Sequence, residues 1–98
     1  MNLAWERAEA QAAIAGGEGN WKEAERHLSK AVKMSRDMAP LTRLGTMCDY
    51  AVALKMLGKA DAYAKLRSDI SKLALETSGL ELAKFCEILC NPDEPMPF

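Results

Sequence analysis

The chain has 98 residues, 49% hydrophobic and 28% charged, a composition that suits one folded domain and excludes a disordered chain. Lys and Arg number 13 against 14 Asp and Glu, split seven and seven over residues 1–49 and six and seven over residues 50–98, so no broad attraction to nucleic acid or an anionic membrane is expected. No apolar run approaches the ~20 residues of a membrane span, and the opening Met-Asn-Leu-Ala-Trp-Glu carries no secretory pattern.

The periodicity predicts helices throughout and no strand. The first runs over about Leu3–Ala15, is Ala-rich, and is stopped by Gly16, Gly17 and Gly19. Asn20 is an N-cap for the second, with Glu23 three residues later as a capping-box partner. Its apolar side carries Trp21, Ala24, Leu28, Ala31, Val32 and Met38, opposite a basic stripe of Lys22, Arg26, Lys30, Lys33 and Arg36. That stripe reads as a solvated face before it reads as a docking surface.

Pro40 ends the second helix or opens the third. The third, about Leu41–Leu57, is apolar over more than half its circumference, with Thr42, Thr46 and Asp49 as its polar strip. A helix of that kind is packed between others. Gly58 ends it. The fourth, about Ala60–Thr77, is one-faced through Ala62, Tyr63, Leu66, Ile70, Leu73 and Ala74. A short fifth, Leu80–Cys90, presents Leu82, Phe85, Cys86 and Leu89 before the Pro-rich tail 91–98.

The first four helices repeat. Ala24 and Leu28 correspond to Ala62 and Leu66 at an offset of 38, and Ala8, Ala12 and Ala15 to Met47, Ala51 and Leu54 at 39, as does Gly19 to Gly58. Helix, Gly-containing turn, helix at a fixed period is the pattern of a helical solenoid. On Ala12, Gly19, Trp21, Ala24, Leu28 and Ala31, and on Tyr50, Ala51, Leu54, Gly58, Ala62 and Leu66, the chain resembles the tetratricopeptide repeat family. The small side chains let paired helices approach closely. The period exceeds the ~34 residues usual in that family, closer to the longer kinesin-light-chain-like repeats, and Ala60 stands where the first unit has Trp21.

The resemblance implies an all-α fold: a right-handed superhelical stack of two hairpins, units 3–38 and 41–77, with 80–90 as a capping helix, all in one domain over 1–90. It implies a concave groove lined by the first helix of each unit. By register that groove takes Glu6, Glu9 and Ala13 from one helix and Gly45, Cys48, Val52 and Lys55 from the other. The basic and Asn-rich set with which family members clamp a C-terminal carboxylate is missing.

Catalysis is not expected. His27 is the single histidine and borders an apolar face. The three cysteines, Cys48, Cys86 and Cys90, form no CxxC, and with His27 they lack metal-ligand spacing. They read as small buried hydrophobes, reduced in a cytoplasmic setting. The expected function is a cofactor-free, metal-free interaction module: a small adaptor or chaperone-like protein holding a peptide or helix of a partner protein. The alternative is a structural self-assembly subunit, a homo-oligomer built through Leu3, Ala10 and Ile14, an apolar line with no evident intrachain neighbour. A helical DNA-binding regulator comes after both.

Overall fold

A computed structural model describes residues 3–90, and of residues 80, 81, 88 and 89 the backbone alone. The tail 91–98 and the side chain of Leu89 lie outside the described residues. Five helices follow one another: α1 Leu3–Gly17, α2 Trp21–Met34, α3 Pro40–Met56, α4 Ala60–Ser78 and α5 Leu80–Leu89. A 3-10 turn, Ser35–Asp37, joins α2 to α3. The described residues are all-helical, with no strand. No helix among them is long and apolar enough to cross a membrane.

Local chemistry sets the boundaries. Asn20 Oδ1 accepts from the Glu23 backbone N–H at 3.3 Å and caps α2. Only half of the capping box forms, because the Asn20 N–H goes to the Ala15 carbonyl at 2.8 Å and the Glu23 carboxylate turns to Arg26. Pro40 opens α3 at its first turn, where a missing N–H costs nothing. Ser35 closes α2. It is fully buried, and its hydroxyl donates to the Val32 carbonyl at 2.8 Å.

The two turns inside the hairpins are built alike. Gly19 N–H bonds to Gly16 O and Asn20 N–H to Ala15 O; 39 residues on, Gly58 N–H bonds to Lys55 O and Lys59 N–H to Leu54 O. Gly19 and Gly58 have φ of 77° and 74°, a backbone region closed to most side chains, so glycine is required at both. The buried positions keep the same period in the second helices. Ala31 of α2 and Ser35 just after it answer to Ile70 and Ala74 of α4, and all four are buried. The sequence pairing of Leu28 with Leu66 keeps two core-facing residues together, whereas that of Ala24 with Ala62 is one residue out. Ala62 is exposed, and Tyr63 takes the position of Ala24. Two apolar residues lie side by side there, and only packing decides which turns inward.

Each helix packs chiefly on the next, α5 also touches α3, and among the described residues α1 has no comparable packing on α4 or α5. The core has two parts. One gathers Ala12, Ala15, Ala24, Leu28 and Ala53, with Trp21 and Tyr50 against them. The larger gathers Leu44, Met47, Cys48, Ala51, Ile70, Ala74, Ala83, Cys86 and Cys90. α3 contributes to both, so its broad apolar surface follows from its place between layers. Ala31, Ala51, Ala53 and Ala74 are wholly inaccessible. A methyl at each crossing brings the backbones close, and a larger side chain there would cost about 1–3 kcal/mol in strain.

α5 covers the end of the stack through Leu82, Ala83, Cys86 and Cys90. Phe85, expected to lead that cover, is exposed. The inward phase of the helix runs through Leu82, Ala83, Cys86 and Cys90, which turns Phe85 toward solvent.

Candidate functional site

The polar strip of α3 is an interface. Thr46 is completely buried; it accepts from Trp5 Nε1 at 3.1 Å and donates to the Thr42 carbonyl at 3.1 Å. α1 thus meets that strip at Thr46, while Asp49 stays exposed. Beyond the Trp5–Thr46 bond the two helices diverge around a cavity of about 370 Å3. Its lining comes from α1 (Glu9, Ala12, Ala13, Gly16, Gly17), α2 (Trp21, Ala24, Leu28) and α3 (Asp49, Val52). A volume in this range accommodates several side chains of a ligand.

The Trp21 ring forms part of its lining. A Cβ added at Gly16 would meet the indole at 3.1 Å, so glycine lets the ring lie close to α1. The polar end holds two carboxylates. Glu9 Oε1 is sealed from solvent and finds no hydrogen-bond donor among the described groups unless Asp49 carries a proton. Burial, and next the Glu9 charge and a hydrogen bond to it, push the Asp49 carboxyl up to about 7. Asp49 keeps an exposed edge, so the pair sits at the mouth of the cavity and not in the core. Two close carboxylates in an apolar setting favour an added proton or cation between them.

The expected groove residues divide. Glu9, Ala13 and Val52 line this cavity together. Gly45 lies on an adjoining depression with Trp5, Glu9, Leu41, Thr42 and Asp49. Glu6 faces a third hollow, with Trp5, Met34 and Met38. Cys48 faces the opposite way and is buried with Cys86 and Cys90. Lys55 is turned to α4, its Nζ 5.8 Å from the centre of the Tyr63 ring, with the Arg67 guanidinium 5.5 Å from the same ring. Leu3 and Ile14, with Ala10 between them, are exposed.

The sequence reading names Asp49, Trp21 and Gly16 but does not place them in the groove. Asp49 belongs to the polar strip of α3; a narrow polar strip on an otherwise buried helix is the available sign of an interface. His27 is half-buried, 3.7 Å from Glu23. The basic stripe of α2 lies on the surface, with Arg26 bonded to Glu23 at 2.8 Å. A second cavity of about 370 Å3, between α2, α3 and α4, is rimmed by Arg36, Arg43, Asp69, Lys72 and Glu76. Its rim mixes three cations with two carboxylates, whereas the pair at the first cavity has one sign. Among the described residues no three His, Cys, Asp or Glu side chains are placed to hold a metal ion. No protein-family model, curated protein or solved structure matches the chain.

Proposed function

We propose that the chain is a non-catalytic interaction module of tetratricopeptide-like, right-handed build, an adaptor or chaperone-like protein that holds a peptide or helix of another protein between α1 and α3. The observation that carries this reading is the cavity itself: an apolar lining of Ala13, Trp21, Leu28 and Val52 with Glu9 and Asp49 at one end. Such a site takes a side chain with an apolar stem and a cationic head, a Lys or Arg of the bound segment. The identical turns at a period of 39 residues support the repeat build.

Helical peptides that differ at one central position, carrying Lys, Arg, norleucine or Glu, test this by fluorescence polarisation. Peptides with Lys or Arg bind best, and Val52→Glu, which puts a third carboxylate in the cavity and removes apolar lining, loses the binding. Equal affinity for the Glu and Lys peptides, or binding unchanged by Val52→Glu, rejects the site.

The exposure of Leu3 (66%) and Ile14 (64%) favours one further reading, self-assembly through the outer face of α1. Sedimentation equilibrium decides it. A concentration-dependent dimer that Ile14→Glu abolishes without loss of helicity supports that assembly, and a strict monomer at high concentration removes it.

A further inference from the structure

The three cysteines are not scattered through the core. Cys48 on α3 meets Cys86 and Cys90 on α5 in one buried cluster, with 3%, 3% and 1% of their surfaces accessible. The Cys90 thiol foremost, and then burial, hold the Cys48 thiol protonated, and Cys86 adds to this more weakly. Cys90 is also held from its backbone, because the Tyr63 hydroxyl donates to its carbonyl at 2.7 Å. We propose that Cys48 and Cys90 are a disulfide-forming pair, oxidised by hydrogen peroxide to tether α5 covalently to α3.

The surroundings assign the roles. The neighbouring Cys48 thiol, and then the charge of Arg67, favour the thiolate at Cys90, opposed by burial and by Asp49 and Glu87. Arg67 is steered there by its stacking over Tyr63. Cys90 is therefore the attacking sulfur. Its thiolate attacks one peroxide oxygen, the O–O bond breaks, and the departing hydroxide takes up the proton that the Cys90 thiol released, becoming water and leaving Cys90 sulfenic acid. The Cys48 sulfur then displaces the sulfenic oxygen as water, using the Cys48 proton. Two thiols and one peroxide give one disulfide and two waters. Burial, and then the Cys90 charge, push the Cys86 thiol up against the effect of Cys48, which makes it the poorer nucleophile of the two on this face. Cys90 is 1% accessible and follows the last residue of α5, so peroxide reaches it when that helix end opens.

The test uses the reduced full chain, treated at neutral pH with a small excess of hydrogen peroxide, alkylated, and cleaved after Lys84 and Glu87, which separates Cys86 from Cys90. The expected product is a monomer that has lost two hydrogens, with the Cys48 peptide joined to the Cys90 peptide, and a Tm raised by about 5 °C or more. Cys86→Ala should form the same link. A link from Cys48 to Cys86, dimers joined between chains, Cys90 oxidised to sulfinic acid without a link, or an equal yield in denaturing urea would each overturn the proposal. The wild-type comparison with and without urea stands even where a cysteine variant folds poorly.

Discussion

Trp5 Nε1 donates to Thr46 Oγ1 at 3.1 Å and joins α1 to α3 across 41 residues of sequence. Thr46 is buried, so its hydroxyl has to be satisfied, and it is, as acceptor from Trp5 and donor to the Thr42 carbonyl. Thr46→Val keeps the shape and removes both bonds. A loss of about 1–2 kcal/mol in urea unfolding is expected. Thr46→Ser, which keeps the hydroxyl, should recover much of it. No loss for Val, with a loss for Ser, would show that the methyl, and not the bond, holds the helices together.

The Glu9–Asp49 pair makes stability depend on pH in the less common direction. In the unfolded chain Asp49 has an ordinary carboxyl, with a pKa of about 3.9; in the fold it is pushed up to about 7. Between these values the folded state binds the extra proton, so this pair adds stability as pH falls through 7 and loses it as pH rises. The exposed edge of Asp49 limits the effect to about 1 kcal/mol. Asp49→Asn offers Glu9 a permanent donor and should flatten this part of the profile. Urea midpoints from pH 5 to 8 for both proteins read it, and parallel curves refute the shared proton.

Gly45 sits inside α3, exposed, and a Cβ added there would meet nothing within 4 Å. Gly45→Ala should therefore stabilise the fold by about 0.5–1 kcal/mol through helix propensity alone. Gly58→Ala should destabilise by about 1 kcal/mol, because its φ of 74° excludes a side chain at little strain. Differential scanning calorimetry should move Tm in opposite directions for the two. If Gly45→Ala also weakens peptide binding, the flat surface at this position is used by the ligand.

Much of the architecture was legible in the residues. The breadth of apolar surface on α3, Asn20 as a cap and the glycines at 19 and 58 mark the layers and turns through local physics alone. The rotation of single helices was not legible. Ala62 and Tyr63 are adjacent and both apolar, and Phe85 lies one residue from Cys86; only long-range packing selects between them. For the same reason register alone assigned Cys48 to the groove. Gly45 and Val52 flank it in the sequence, yet it lies on the core side of α3, while the neighbouring Asp49 turns toward Glu9. The cavity depended on a contact across 41 residues, from Trp5 to Thr46, that no local pattern announces.

Tyr63 links three layers, and its hydroxyl is the part that can be tested alone. The ring packs against the larger core, Lys55 and Arg67 lie against it, and the O–H reaches the Cys90 carbonyl at 2.7 Å. That carbonyl belongs to the end of α5, where helical carbonyls lack intrahelical donors. Tyr63→Phe keeps the ring and its cation contacts and removes only this cap. Global stability should fall by about 1 kcal/mol. The local effect should be larger in kind: amide exchange in residues 82–90 should speed up, while exchange in α1 and α2, which do not touch the hydroxyl, stays within the change set by global stability. Exchange that rises uniformly along the chain would mean that the hydroxyl serves the whole fold and that α5 has no separate attachment there.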